Sequence, residues 1–261
     1  MPLDYDRLAA DYARHRRAHP GVLAGLLARA PGAGGAALEV GCGTGNYALA
    51  LAEHSGCAVW GVDPAAGMLA EAESNAASRR VGGPGRVRFQ AGRAEDLGVP
   101  AQAFDLVFSV DVIHHVGDRA AYFRQAAAAL RPGGWVCTAT DSEEIIRARA
   151  PLSVYFPETV PFELRRYPAL VQLHGWMAQA GLTPAGDDTV GFPYRLESAA
   201  PFRARAYSCL HLISDEAFAR GLARLEADLS SRLAGGGEVW GNARYVLAWG
   251  QKAPAAGEIG G

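Results

Sequence analysis

The chain has little of what would announce a metal, a membrane or a nucleic acid. Its four cysteines, Cys42, Cys57, Cys137 and Cys209, are scattered, with no C-x-x-C spacing, which argues against a zinc site and a disulfide framework alike. Formal net charge is −2 and Lys and Arg form no long run, so a surface that tracks phosphates is not indicated. No apolar run is long enough to span a bilayer. Residues 1–17 are charged and lack an apolar stretch, so no secretory signal is read there and the expected location is cytoplasmic. There is no internal repeat. What is present is ordinary for a globular protein: 261 residues, 49% hydrophobic and 20% charged, enough for one large domain or a core domain with an insertion.

The most informative stretch is Leu38-Glu39-Val40-Gly41-Cys42-Gly43-Thr44-Gly45-Asn46. Residues 36–40 form a short apolar run that reads as a buried strand, and residues 47–53 read as a helix. Alternate glycines between them let the backbone turn tightly and bring its N–H groups against a ligand. A plain glycine turn, a dinucleotide site and a site for a ligand carrying an ammonium group are the competing readings. A dinucleotide fingerprint is G-x-G-x-x-G with pyrophosphate on the helix N-terminus. Here the third glycine arrives one position early and Asn46 stands where Gly or Ala is wanted. Glu39 is a poor neighbour for pyrophosphate and a good one for an ammonium.

Residues 58–62 read as a second strand ending at Asp63, an acid placed to accept hydrogen bonds from ribose hydroxyls. Pro64 opens the next helix where its missing N–H costs little. In that helix Met68 suits either an adenine face or the core. A third strand is expected over 87–91, followed by Gly92-Arg93-Ala94-Glu95-Asp96. A fourth, over 103–110, is apolar enough to be buried on both faces and runs into Asp111-Val112-Ile113-His114-His115. A helix over 119–130, a turn at 131–134 and a strand over 135–140 follow. Residues 141–168 mix prolines with aromatics and suit an inserted lid. Further expectations are a helix over 169–180 stopped by Gly181, a sixth strand within 183–196, and helices over 202–213 and 215–233, the latter capped by Ser214. A last strand over 243–249 precedes a small, polar tail.

E-x-G-x-G-x-G, the acid at Asp63, F-D-L-V at 104–107 and L-R-P-G-G at 130–134 together resemble the class I S-adenosylmethionine-dependent methyltransferases of small-molecule type. The opening pattern Tyr5-Asp6-x-x-Ala9-x-x-Tyr12-x-x-x-Arg16 extends that resemblance to about residues 5–140. The fold it implies is α/β: a Rossmann-like, seven-stranded, mostly parallel sheet with an antiparallel final strand, helices on both faces and an inserted helical lid. The implied organisation is a helical cap over the cofactor (1–30), a cofactor-binding core (31–142), a lid or substrate insertion (143–168), the remainder of the core with strands six and seven (169–252) and a disordered tail (253–261). The implied cofactor is S-adenosyl-L-methionine, giving S-adenosyl-L-homocysteine. By the resemblance it meets Tyr12, Arg16, Glu39, Gly41, Gly43, Gly45, Asp63, Met68, Arg93, Ala94, Glu95 and Val110. One departure stands out. Relatives commonly carry Asp or Asn directly before the Ala for the adenine amino group, and this chain has Arg93, which cannot accept a hydrogen bond. The contact then falls to the backbone of Arg93 and Ala94, or to Glu95 or Asp96.

Methyl transfer from a sulfonium is an in-line displacement, so the protein supplies orientation and, where needed, removes a proton. A base belongs just after strand four, because ligands of open α/β sheets bind at the carboxyl ends of the strands. His114 and His115 lie there, and histidine titrates where a base is useful. Phosphoethanolamine methyltransferases, similar in this segment, place a catalytic histidine at the position of His115, partnered by an N-terminal tyrosine. Tyr12 or Tyr5 would fill that role here; a structural role for His115 is the other reading. No N/D-P-P-Y/F motif follows strand four. With the acidic balance, that points to a small-molecule acceptor, with no nucleic-acid, membrane or metal partner and a monomer or homodimer. The expected reaction is methylation of an O, N or S nucleophile. A carbon acceptor or an inactive cofactor-binding scaffold is the alternative. Tyr155, Phe156, Phe162 and Tyr167, with His174 and Trp176 nearby, suit either an aromatic acceptor pocket or packing within the lid. Arg165, Arg166, Arg203 and Arg205 could hold an acidic acceptor or simply be solvated.

Overall fold

The computed structural model describes residues 18–79 and 86–255. In chain order the elements are α1 (Pro20–Leu27), β1 (Ala36–Val40), α2 (Asn46–Ser55), β2 (Ala58–Asp63), α3 (Ala66–Arg79), β3 (Val87–Ala91), β4 (Phe104–Val110), α4 (Arg119–Ala129) and β5 (Leu130–Thr140). There follow α5 (Glu143–Ala148), α6 (Leu152–Tyr155), α7 (Thr159–Arg166), α8 (Leu170–Gln179), β6 (Leu182–Arg195), α9 (Ala200–Arg203), α10 (Asp215–Ala234) and β7 (Trp240–Lys252). Short 3-10 turns lie at Ile113–His115 and Ser208–His211.

The strands form one seven-stranded sheet in the order β3-β2-β1-β4-β5-β7-β6. β1 runs parallel to β2 and β4, and β7 runs antiparallel to both β5 and β6. This is the expected Rossmann-like sheet, with its topological switch between β1 and β4. Alternation along β1 explains why both faces are covered. Leu38 and Val40 enter a core with Tyr122 and Phe123 of α4 and Leu173 and Met177 of α8. Ala37 faces the other core, with Val22 and Leu26 of α1 and Ala48 and Leu51 of α2.

The F-D-L-V and L-R-P-G-G motifs meet at the amino end of the sheet. Asp105 takes both carboxylate oxygens to the Arg131 guanidinium, at 2.9 and 2.7 Å, and also accepts the Ala36 N–H at 2.8 Å. Residues 131–134 are therefore not a free turn. β5 starts at Leu130 opposite Phe104 and resumes register at Trp135 opposite Leu106, so the segment is an irregularity inside the strand.

Two expectations fail in the second half. The helix expected over 202–213 is broken: Arg205 takes φ +48, and the Ala206 N–H turns back to the Pro201 carbonyl. The break sets the Tyr207 ring 5.1 Å from Phe202. The last strand is longer than its apolar run. β5 pairs with β7 only as far as Thr140 opposite Val246, whereas β6 and β7 remain paired to Arg195 opposite Trp240. The end of this hairpin overhangs the carboxyl edge of β5. Residues 143–168 form three short helices, α5 to α7, in keeping with the expected helical insertion. Leu152, Tyr155 and Phe156 share a separate core with Phe202, Leu210, Leu225 and Leu229, so α9 and α10 pack with the insertion.

Candidate active site

The loop from β1 to α2 turns on three left-handed glycines, with φ +71 at Gly41, +51 at Gly43 and +77 at Gly45. A Cβ on Gly41 would lie 2.4 Å from Val112, so the segment after β4 presses directly onto the glycine loop. A Cβ on Gly43 would meet nothing within 4 Å. The tip of the loop thus faces open space at the carboxyl edge of the sheet, as a ligand cradle requires. Asp63, at the end of β2, accepts from Gly43 N–H on Oδ2 and from Ala65 N–H on Oδ1, both at 2.9 Å. Each oxygen of a carboxylate has a second acceptor site, so the acid can brace the loop and still receive ribose hydroxyls.

Glu39 is buried beneath the same loop and accepts the Ala48 N–H at 2.8 Å, at the start of α2. Burial, with the Asp63 charge adding to it, raises its pKa well above the usual carboxylate range. Met68 is buried in the first turn of α3 and Val110 is buried at the end of β4. The Arg93 side chain is 73% exposed, 3.8 Å from Glu95. Its N–H is spent on the Asp96 carbonyl and the Asp96 N–H returns to its own. Glu95 accepts from the N–H groups of Gly117 and Asp118 at 3.0 and 3.4 Å. The Arg93 backbone is thus taken by Asp96, and Ala94, Glu95 and Asp96 stay open as adenine contacts. Tyr5, Tyr12 and Arg16 lie outside the described residues, as does most of the expected 1–30 cap.

A cavity of about 480 Å³ opens on the other side of the β4 terminus. Asp111 and Asp141, at the ends of β4 and β5, form its floor, and the lid and the overhanging β6–β7 hairpin form its walls. Asp111 was not anticipated as a site residue. It takes φ +57, a conformation that non-glycine residues adopt at a cost and that concentrates at functional sites, and its carboxylate accepts the Tyr245 hydroxyl at 2.9 Å. That strain has no sequence signature.

His114 and His115 both line the cavity. Their rings are 4.0 Å apart, and His114 stacks on Tyr167 at 4.2 Å. His115 is exposed on the cavity side, while protein packed around the rest of the ring takes water from it. That desolvation, reinforced by the positive Arg166 and opposed by Asp111, lowers its pKa to about 4, so it is neutral at physiological pH. Two further cavity histidines are committed elsewhere. His19 Nδ1 accepts the Val22 N–H at 3.3 Å and its Nε2 faces the Ala243 carbonyl at 3.0 Å. His211 Nε2 faces the Arg205 carbonyl at 2.9 Å.

The lid aromatics divide in a way their sequence does not show. Tyr155, Phe156 and Phe162 pack in the lid's own core, and Trp176 lies under Arg119 on the helical layer. His174 bonds Asp187 at 2.9 Å. Tyr167 alone of this group lines the cavity, joined there by Phe192, Tyr194, Tyr207 and Tyr245. The arginines considered for an acidic acceptor are engaged. Arg166 reaches Glu163 at 3.0 Å, Arg203 holds Glu226, Arg205 holds Asp215 and Arg165 lies over the Phe162 ring. The lid is tied to the sheet by Arg149, whose guanidinium bridges Asp141 of the core and Glu163 of α7. No helix among the described residues is long and apolar enough to cross a membrane.

A family described as a methyltransferase domain matches residues 38–138, the span from the glycine loop to β5. A ubiquinone biosynthesis O-methyltransferase of Azorhizobium caulinodans is 35% identical over 103 residues, 40% of this chain and 39% of the relative. A 27-O-demethylrifamycin SV methyltransferase of Amycolatopsis mediterranei is 36% identical over 112 residues, 43% of this chain and 40% of the relative. The chain thus spans about two fifths of the length of these curated relatives. The fold reaches further than the sequence match. A Haemonchus contortus phosphoethanolamine N-methyltransferase, solved with phosphomonomethylethanolamine and S-adenosylhomocysteine, superposes with a TM-score of 0.60 at 21% identity, over 95% of this chain and 57% of that one. The glycine loop, Asp63 and the Asp105–Arg131 tie all fall within residues 38–138, the span that matches the methyltransferase domain family.

Proposed function

We propose that this protein transfers the methyl group of S-adenosylmethionine to an oxygen, nitrogen or sulfur nucleophile of a small-molecule acceptor, by in-line displacement. One observation carries this reading. The segment from Asp111 to His115 is the shared wall between the glycine loop, which Val112 touches, and the cavity, which Asp111, His114 and His115 line. A methyl donor seated over Gly43 and Asp63 and an acceptor seated in the cavity would meet there.

When bound, S-adenosylmethionine supplies a methyl group already activated by the sulfonium charge. The chain's residues do the rest. Gly41, Gly43 and Gly45 keep side chains out of the cradle, and Asp63 holds the ribose. Glu39 sets the start of α2 by accepting the Ala48 N–H, and an ammonium seated beside it would favour its charged form. Met68, Val110 and the Ala94 backbone border the adenine, with Arg93 and Glu95 framing that loop from outside. By the resemblance, Tyr12 and Arg16 are the groups for the methionine end. His115, neutral at pH 7, takes the acceptor's proton as the new bond forms, with Tyr12 as its partner. The lid excludes water from the transfer.

The test is turnover. Purified protein given methyl-labelled S-adenosylmethionine and a small-molecule cell extract should form S-adenosylhomocysteine and a labelled product. His115→Ala should lower that rate by roughly 10²–10⁴-fold while leaving S-adenosylhomocysteine affinity unchanged. Equal turnover by the variant would remove the base from the mechanism.

A further inference from the structure

The acceptor cavity is walled by ring systems on two sides. On the hairpin side, His19 meets Phe192 edge-on at 5.8 Å and Tyr245 at 5.2 Å. Opposite, His114 stacks on Tyr167 with 21° between the planes, and Tyr207 lies against Phe202. The charges between these walls are already matched. Arg149 is held by Asp141 and Glu163, Arg205 by Asp215 and Arg244 by Glu144. An anionic acceptor that drew on Arg149 would have to compete with Asp141 and Glu163, each 3% exposed, and a buried carboxylate that loses its cation costs several kcal/mol. Ring faces and edges instead complement another aromatic ring.

Size points the same way. About 480 Å³ lies in the range that takes a drug-sized ligand, far more than a two-carbon amine fills. Basicity is the third argument. A neutral histidine crowded by Arg166 is a poor base for an aliphatic ammonium, which must lose its proton before it can attack. It is adequate for a phenol, whose acidity rises steeply as its oxygen is alkylated.

Resting on the methyltransferase reading, we propose that the acceptor is an uncharged, planar molecule of two or more aromatic rings that presents a phenolic hydroxyl to His115. The phenolic oxygen forms the new O–CH₃ bond as the S–CH₃ bond breaks and its electron pair stays on sulfur. The phenolic proton passes to the His115 imidazole and then to water. The products are a methyl aryl ether and S-adenosylhomocysteine.

Calorimetric titration of the full chain with S-adenosylhomocysteine first tests the underlying reading. The saturated protein is then screened by saturation-transfer NMR, and turnover is measured with labelled S-adenosylmethionine. The probes are 2-naphthol, 4-phenylphenol, 4′-hydroxybiphenyl-4-carboxylate, phosphoethanolamine and sarcosine. The two neutral phenols should bind and be methylated, with kcat/KM at least tenfold above the carboxylate analogue, and the two amines should not turn over. Phe192→Ala and Tyr207→Ala should each raise KM for 4-phenylphenol about tenfold with S-adenosylhomocysteine affinity unchanged. Phe192 is 44% exposed, so its truncation leaves folding intact should Tyr207→Ala disturb the lid. Failure to bind S-adenosylhomocysteine overturns the methyltransferase reading and this inference with it. S-adenosylhomocysteine binding with no signal from either neutral phenol, with preference for a charged probe, or with KM unmoved by Phe192→Ala overturns the aromatic assignment alone.

Discussion

Arg149→Ala should destabilise the protein strongly, and the reason is electrostatic. The Arg149 guanidinium bridges Asp141 and Glu163, whose side chains are each only 3% exposed. Removing one partner of a buried ion pair costs about 3–5 kcal/mol, because the opposite charge stays buried. Glu163 retains Arg166 at 3.0 Å, which places the expected loss at the lower end, about 3 kcal/mol. For a domain of this size each kcal/mol moves Tm by roughly 2–4 °C, so a drop of about 6–12 °C is expected in calorimetry. The same loss should be local before it is global: amide exchange in α5, α6 and α7 should accelerate more than in β1 or β4, because Arg149 is a buried ion-pair tie between that layer and the sheet. Arg149→Lys should recover little, since one ammonium cannot present the fork that reaches two carboxylates. Adding Asp141→Asn to Arg149→Ala should restore at least half of the lost stability by removing the stranded charge. A Tm within 2 °C of wild type for Arg149→Ala, or a double variant no better than the single one, would refute the argument that buried charge compensation holds the lid.

Other tests separate the two halves of the site. Gly41→Ala forces a Cβ within 2.4 Å of Val112 at φ +71 and should give insoluble or strongly destabilised protein. Gly43→Ala meets open space and pays only the left-handed backbone cost of about 1–2 kcal/mol. It should fold, yet bind S-adenosylhomocysteine at least tenfold more weakly by calorimetry. Arg93→Ala removes an exposed side chain and should leave that affinity within twofold; a larger loss would put the guanidinium on the ligand. His115 has a folded pKa lowered to about 4 from 6.5. Between those values the unfolded chain binds the extra proton, so the histidine's contribution to stability falls as pH drops through that window. The imidazole carbon shifts in NMR should stay those of the neutral ring down to about pH 5, and midpoint movement near 6.5 would contradict its desolvation.

The cofactor half of the molecule is legible in sequence because it is local. Glu39, the three glycines and Asp63 sit at the ends of adjacent strands, and each motif encodes its own geometry within a few residues. The Asp105–Arg131 tie joins F-D and L-R-P-G-G to each other, though neither touches the cradle. The cavity proposed for the acceptor is assembled from distant stretches. His19, Tyr167, Phe192, Tyr207 and Tyr245 come from five separate segments, and no spacing rule joins them. The prolines and aromatics of 141–168 do signal a lid, but the rings most visible there, Tyr155, Phe156 and Phe162, serve its own core. The break at Arg205, which aims Tyr207 at the cavity, runs against a helical pattern that tertiary packing overrides.

Asp111 is where the two halves constrain each other. Its N–H stays on the β4–β5 ladder, bonded to the Ala139 carbonyl at 3.1 Å, while its left-handed φ swings the chain off the strand. That swing lets Val112 drop onto Gly41 and turns Ile113–His115 into a 3-10 turn. A regular strand would have carried His115 onward along the sheet, away from the glycine loop. The Tyr245 hydroxyl holds the Asp111 carboxylate from the overhanging hairpin, so the same residue ties the turn to the acceptor wall. Asp111→Asn keeps a residue that tolerates this conformation and should preserve the fold, whereas Asp111→Val, with its branched side chain, should not. If Asp111→Asn binds S-adenosylhomocysteine normally but turns over slowly, the carboxylate acts on the acceptor side of the wall. If it loses cofactor affinity as well, the turn is held by charge rather than by backbone, and the coupling through Val112 and Gly41 is weaker than the geometry implies.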